Sequence, residues 1–155
     1  MTILYVDADA CPVTREAISR ARARGIPVVL VGNETQSFAR YVDRPGVEVV
    51  KVGAGRDSAD FAIVERLAPG DVVVTNDTGL AAMALGRKAL AISPRGRVFS
   101  LLSIDAELEV RHAEQRVRRA GGRTRGPAPF ETEDRERFVE SLDRLLRGPA
   151  SEQSA

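Results

Sequence analysis

The chain has 155 residues, of which 43% are hydrophobic, and its formal net charge at pH 7 is +1. This size and composition indicate one globular domain and exclude a disordered chain. A single cysteine excludes an intramolecular disulfide framework, and no apolar run approaches the ~18 residues of a membrane span. Since no signal peptide is visible either, we expect a cytoplasmic protein.

Short apolar runs alternate with helical patterns from the first residues to residue 92. Five of these runs, mostly rich in β-branched residues, predict strands over residues 3–6, 27–31, 47–52, 72–75 and 89–92. The segments between them predict helices over residues 12–24, 34–42, 57–68 and 80–85. Strands that alternate with helices form βαβ units, so we predict a three-layer α/β/α sandwich with a mainly parallel central sheet.

After residue 93 the alternation of short apolar runs with helical patterns ends. We predict a helix capped by Ser103 that runs to about Ala120, then a loop over residues 121–129, and a final amphipathic helix from about Thr132. The prediction for domain organisation is one domain over residues 1–147, followed by a disordered tail over residues 148–155.

Aspartates follow three of the predicted strands. Asp7 and Asp9 leave the first strand, Asp57 and Asp60 begin the helix after the third, and Asp77 follows the fourth. Because the carboxyl ends of parallel strands meet at one edge of the sheet, we expect these acids to converge. Hard divalent cations such as Mg²⁺ and Mn²⁺ take such ligands, although an aspartate before a helix can also be its N-cap.

Arginines are concentrated near the end of the predicted fifth helix. Of the 23 basic residues 21 are arginine, and six of these fall within residues 111–125. The six are Arg111, Arg116, Arg118, Arg119, Arg123 and Arg125. Such a local basic stripe on a near-neutral chain is either a phosphate-binding face for nucleic acid or a solvated helix face.

Several short motifs resemble one known family. They are YVDADACPV at residues 5–13, VGN at 31–33, DSAD at 57–60, VTND at 74–77, RH at 111–112, RAGGR at 119–123, GP at 126–127 and PF at 129–130. Together they resemble the YaiI/YqxD family of PIN-like proteins, over nearly the whole chain to about residue 147.

The resemblance implies a PIN-like α/β fold whose acids bind Mg²⁺ or Mn²⁺ and hydrolyse RNA or DNA. It implies that Asp7 and Asp77 are metal ligands after strands one and four, and that Asp57 or Asp60 supplies the helix acid. The resemblance also implies a further acid after the fifth strand, but none stands in the turn of residues 93–95. On the basis of the acids that do match, we predict a metal-dependent nuclease that acts on RNA.

In this prediction the acids and arginines have separate tasks. The metal ligands are Asp7, Asp57, Asp60 and Asp77, and the catalytic residues are Asp7, Asp9 and Asp77. Asp9 and Asp57 have supporting roles. The arginine stripe contacts phosphates.

Two alternatives remain open from the sequence. Asp7 and Asp9 also fit the Asp-x-Asp signature of a haloacid-dehalogenase-type phosphatase, although Cys11 occupies the following Thr/Val position. That chemistry also needs a lysine, and the chain has only Lys51 and Lys88. The second alternative is a non-catalytic module that binds RNA or a protein partner and keeps the acidic rim.

Overall fold

A computed structural model describes residues 1–9, 11–33, 39–53, 58–123 and 128–153. Its strands are β1 (Leu4–Asp7), β2 (Val28–Asn33), β3 (Val47–Val52), β4 (Val72–Val74) and β5 (Leu90–Ile92). They form one sheet in the order β3-β2-β1-β4-β5, and all four strand pairs are parallel. The predicted fold class, an α/β sandwich around a parallel sheet, is confirmed.

Six helices complete the described part of the chain. They are α1 (Thr14–Arg22), α2 (Ala39–Val42), α3 (Ser58–Arg66), α4 (Thr78–Gly86), α5 (Leu101–Arg119) and α6 (Thr132–Gln153). The predicted starts of the second and third helices, residues 34–38 and Asp57, lie outside the described residues. Within α6 the backbone of Gly148 is non-helical, with φ 73° and ψ 169°. The predicted domain boundary at residue 147 stays a prediction.

Alternation along the strands produces a core on each face of the sheet. In β1, Leu4 and Val6 point to one face, where they pack with residues of α1 and α6 such as Phe138. Tyr5 points to the other face, where α3, α4 and α5 contribute residues such as Ile63. This period of two, with apolar residues on both sides, is what a central strand of a three-layer sandwich requires.

The N-terminus of α5 differs from the prediction. The N-cap is Ser100, whose hydroxyl accepts a hydrogen bond from the Ser103 backbone N–H at 3.3 Å, so the assignment of Ser103 as the cap was wrong. Two serines three residues apart fit the same cap pattern. The earlier start adds a turn to the helix on the N-terminal side of Ile104, the buried residue of α5.

A close approach of two backbones joins the turn after β5 to α6. Gly96 has a φ of +89°, and a Cβ atom added there would lie 2.6 Å from the carbonyl carbon of Arg137. The turn itself is closed by a hydrogen bond from the Gly96 N–H to the Ser93 carbonyl oxygen at 2.9 Å. Glycine is therefore required here both for the backbone conformation and for the space.

Within the described ranges, no helix is long and apolar enough to cross a membrane.

Candidate functional site

The centre of the candidate site is Asp7, the last residue of the central strand. It lies beside Val31 of β2 in the sheet register, and its side chain is half-buried. Asp7 Oδ2 accepts a hydrogen bond from Thr75 Oγ1 at 2.9 Å, and the same Thr75 oxygen accepts one from the Asp77 backbone N–H at 2.9 Å. Because Thr75 follows β4 directly, parallel pairing of β1 with β4 brings the two segments together.

The surroundings of Asp7 disfavour its negative charge. The pKa of this carboxyl is raised to about 6, chiefly by burial and also by the negative charges of Asp9 and Asp77, while the hydrogen bond from Thr75 acts in the opposite direction. A carboxyl in such a setting retains a proton at mildly acidic pH unless a cation is present. Asp9 and Asp77 are therefore close enough to Asp7 to disfavour its negative charge.

Asp9 connects the loop after β1 to the end of β2. Its Oδ1 accepts a hydrogen bond from the Asn33 backbone N–H at 3.0 Å. The Ala8 N–H, one residue earlier, donates to the Val31 carbonyl oxygen at 2.8 Å. These two bonds hold the loop beyond Asp7 against β2, so one role of Asp9 is to position the segment that follows the central acid.

Asp77 has a structural task at the start of α4. Its Oδ1 accepts hydrogen bonds from the backbone N–H groups of Gly79 at 2.8 Å and Leu80 at 3.2 Å, which makes Asp77 the N-cap. The guanidinium of Arg111, from α5, lies 3.1 Å from the same oxygen. The capping role that the sequence allowed for Asp77 is therefore observed. All three contacts use one carboxylate oxygen.

We expect Asp77→Ala to lower the free energy of unfolding by about 1 kcal/mol, because two amide groups at the start of α4 lose their acceptor. Asp77→Asn keeps an oxygen in the same place and should change stability by much less. Thermal denaturation of both variants tests this. An equal loss in both would mean that the ion pair with Arg111, and not the cap, stabilises the helix.

The remaining predicted acids are Asp57 and Asp60. Asp60 lies in the first turn of α3 and is half-buried, whereas Asp57 is outside the described residues. Among the residues that the structure describes, no three His, Cys, Asp or Glu side chains form a set that could hold a metal ion. Mg²⁺, however, is commonly held by one or two carboxylates together with water and substrate phosphates. The carboxylates of Asp7 and Asp77 fit that chemistry, and the four-acid ligand set stays a prediction.

The arginine stripe lies on the C-terminal part of α5 and the residues just after it. Arg116, Arg119 and Arg123 are exposed, and Arg118 is 3.8 Å from Glu114 one turn away. Arg111 differs from these because it is paired with Asp77, while Arg125 lies outside the described residues. Since Ile104 is the buried residue of this 19-residue helix, most of α5 presents its charges to solvent.

The sequence reasoning missed a cleft beside Asp77. This cleft of about 740 Å³ lies between the turn after β5, α5 and α6, and four arginines line it. They are Arg95, Arg97, Arg111 and Arg137. The position of Arg95 and Arg97 just after a strand was a usable signal. Arg137 gave none, because only the packing of α6 against Gly96 brings it to this edge.

Comparison with known proteins gives one family and many relatives. The family described as "Uncharacterized BCR, YaiI/YqxD family" matches residues 5–148. A UPF0178 protein of Exiguobacterium sibiricum is 46% identical over 143 residues, which cover 92% of this chain and 95% of the relative. One from Xanthomonas campestris pv. campestris is 47% identical over 145 residues, with 92% and 89% covered.

A solved structure described as "Crystal structure of Rae1 (YacP) from Bacillus subtilis" is similar with a TM-score of 0.46 and 18% sequence identity. The similarity covers 100% of this chain and 96% of that chain.

Proposed function

We propose, starting from the fact that this chain belongs to the YaiI/YqxD family, that it hydrolyses phosphodiester bonds in nucleic acid, with RNA as its substrate class and Mg²⁺ or Mn²⁺ as its cofactor. The observation that carries the proposal is the environment of Asp7. A half-buried carboxyl at the end of a central parallel strand has its pKa raised to about 6, and two other acids lie near it. Carboxyl groups with perturbed pKa values of this kind are concentrated at functional sites.

In this proposal Asp7 and Asp77 hold the cation, and Asp60 and Asp57 are further candidate ligands. When bound, the cation supplies positive charge for the phosphate under attack and lowers the pKa of a water molecule. The chain itself fixes the geometry. Thr75 orients Asp7 through its hydroxyl, and the Asp77 N–H orients Thr75 in turn.

Protonation of Asp7 then controls occupancy of the site. A proton and a cation compete for the same carboxylate oxygens, so a metal ligand must be ionised before it can bind. With a pKa of about 6, Asp7 releases its proton as the pH rises through the mildly acidic range. Activity should therefore increase with pH across that range.

The exposed arginines of α5 support nucleic acid as the substrate class. Cations on an exposed helix face can contact successive phosphates of a strand, which gives binding that weakens with salt. Arg111 stands where this stripe meets the acids, since its guanidinium is 3.1 Å from Asp77. A strand bound along α5 would thus lead toward Asp7.

The test is a Mn²⁺-dependent cleavage assay on mixed RNA and DNA. We expect Asp7→Asn to reduce cleavage roughly 100-fold or more, because loss of a charged group that acts directly in catalysis has effects of this order. Asp43→Asn is the matched control, since Asp43 is exposed and precedes β3, at the opposite edge of the sheet. Equal cleavage by wild type and Asp7→Asn would indicate a contaminating nuclease and contradict the proposal.

A second measurement does not depend on activity. Mn²⁺ should raise the melting temperature of the wild type, because a ligand that binds only the folded state stabilises it. It should raise that of Asp7→Asn by much less. If calorimetry detects no Mn²⁺ binding while RNA still binds in a salt-dependent manner, the non-catalytic module becomes the better interpretation.

The phosphatase alternative is tested with the same proteins. Lys88 precedes β5 and so lies at the opposite edge of the sheet from Asp7, while Lys51 lies on β3, two strands away from β1. Neither position supplies the lysine that this chemistry places beside the nucleophile. Phosphate release from small esters that is abolished by Asp7→Asn would nevertheless favour the phosphatase.

A further inference from the structure

The residues that line the cleft beside Asp77 include more arginines than carboxylates. Two glutamates, Glu107 and Glu114, line it together with the four arginines named above. Behind the cleft, the carboxylate of Asp134 forms ion pairs with two guanidinium groups, that of Arg95 at 3.1 Å and that of Arg137 at 3.3 Å. One carboxylate shared by two arginines leaves a net positive charge at the cleft wall. An anion is the ligand that this charge pattern favours.

Two of the four arginines have largely exposed side chains, although each also contacts a carboxylate, that of Glu107 for Arg97 and that of Asp134 for Arg137. The side chains of Arg97 and Arg137 are 59% and 58% exposed. Arg95 is more enclosed, because its guanidinium donates to Asp134 and to the carbonyl oxygens of Ala128 and Pro129. Arg95 therefore fixes the wall of the cleft, whereas Arg97 and Arg137 can turn toward a ligand.

The cleft adjoins Asp77 of the candidate acid site. Asn76 and Thr78, the neighbours of Asp77 in sequence, both line it. Arg111 belongs to both sites, since it lines the cleft and pairs with Asp77 at 3.1 Å. The cleft also lies at the carboxyl edge of the sheet, where ligands of parallel α/β proteins bind.

We propose that this cleft binds a phosphate group of the nucleic-acid strand, one that flanks the phosphate undergoing hydrolysis at Asp7, with Arg97 and Arg137 as its ligands. The inference rests on the proposed function and adds a substrate-positioning site to it. A volume of about 740 Å³ is large enough for a nucleotide. Guanidinium groups suit this ligand because they can form two parallel hydrogen bonds to one phosphate.

The experiment measures binding without cleavage. A labelled single-stranded oligoribonucleotide is titrated with protein in EDTA, and fluorescence anisotropy is recorded at several salt concentrations. We expect Arg137→Gln to weaken binding roughly tenfold, in line with the loss of one charge-assisted contact. It should also reduce the slope of log K against log salt by about 0.7, the value for one phosphate contact on a single strand.

Arg144→Gln is the matched control. Arg144 lies on the same helix, its side chain is 61% exposed, and it is 3.5 Å from Glu140 in an intrahelical pair like that of Arg137 with Asp134. It does not line the cleft. We expect this variant to retain the affinity and the salt slope of the wild type.

Two further variants separate recognition from folding. Arg137→Lys keeps the charge and should keep the salt slope while losing part of the affinity. The double variant Arg97→Gln with Glu107→Gln removes the contact between these two side chains without leaving a buried carboxylate unpaired. It should reduce the slope by the same amount as Arg137→Gln, and thermal unfolding shows whether it folds.

The outcomes distinguish this inference from the proposed function. A loss of affinity that is confined to the cleft variants, and that occurs with RNA and with DNA of the same sequence, supports a phosphate site. No loss in the cleft variants, or an equal loss in Arg144→Gln, overturns it, even if the wild type cleaves RNA with Mn²⁺. If the wild type does not bind either strand in EDTA, the cleft inference is also wrong, and the cleavage assay alone decides the nuclease proposal.

Discussion

Asp7→Asn is expected to stabilise the metal-free protein near neutral pH, although it removes the group on which the proposed activity depends. An amide in place of the carboxylate removes a negative charge from a half-buried position beside Asp9 and Asp77. It can also keep the hydrogen bond with Thr75, because the amide oxygen accepts from the hydroxyl as the carboxylate does. Gain of stability with loss of function is typical of residues selected for a site rather than for the fold.

The difference in stability between Asp7→Asn and the wild type depends on pH. The pKa of Asp7 is raised from 3.8 to about 6, so between these values the folded state holds a proton that the unfolded state has released. The free energy of unfolding of the wild type therefore falls as the pH rises through this window. At about 1.36 kcal/mol per pKa unit, this fall in the free energy of unfolding amounts to roughly 3 kcal/mol once the pH is well above 6.

Thermal unfolding in EDTA measures this difference. At about pH 8 we expect Asp7→Asn to melt roughly 6–12 °C above the wild type, given 2–4 °C per kcal/mol for a chain of this length. Well below pH 3.8 the two proteins should melt together, since Asp7 is then neutral in both states. Asp43→Asn should follow the wild type at every pH. A lower melting temperature for Asp7→Asn at pH 8 would show that the carboxylate is stabilised by its surroundings, contrary to this account.

Gly96→Ala is expected to be among the most destabilising single substitutions in the chain. The new methyl group would lie 2.6 Å from the Arg137 carbonyl carbon and 2.7 Å from its oxygen, both backbone atoms that cannot rotate away. The positive φ of +89° adds the cost of a conformation that residues with a Cβ avoid. We estimate a combined loss of roughly 2–5 kcal/mol in the free energy of unfolding.

Gly70→Ala separates the two contributions. Gly70 has nearly the same φ, +88°, but a Cβ added there would meet no atom within 4 Å. Its substitution should therefore cost only the backbone part, about 1–2 kcal/mol. Urea denaturation of both variants gives the difference between them, which is the cost of separating α6 from the turn after β5. Equal losses would mean that α6 adjusts without penalty.

The sequence predicted the sheet well because strand signals in this chain are local. Apolar runs, mostly rich in β-branched residues, mark the five strands, and β3 was predicted with both of its bounds correct. The convergence of Asp7 and Asp77 followed from the same reasoning, since parallel strands end at one edge. These features depend on periodicity and topology, which short stretches of sequence encode.

The remaining parts of the site depend on contacts between distant segments. Arg137 reaches the cleft only because α6 approaches Gly96, about 40 residues earlier in the chain. The bonds that engage Asp9 and Asp77 likewise involve backbone groups whose direction the sequence does not specify. Residue type and spacing indicated where charged groups would meet, but they did not indicate which partner each group would take.

The position of β1 in the middle of the sheet has a consequence for synthesis of the protein. The first strand pairs with residues 28–31 on one side and 72–74 on the other, and Phe138 of α6 covers one of its faces. Pairings this distant in sequence form slowly, and a chain emerging from the ribosome has made few of them. Asp7 therefore meets Thr75 and Asp77 only after the intervening part of the chain has been synthesised.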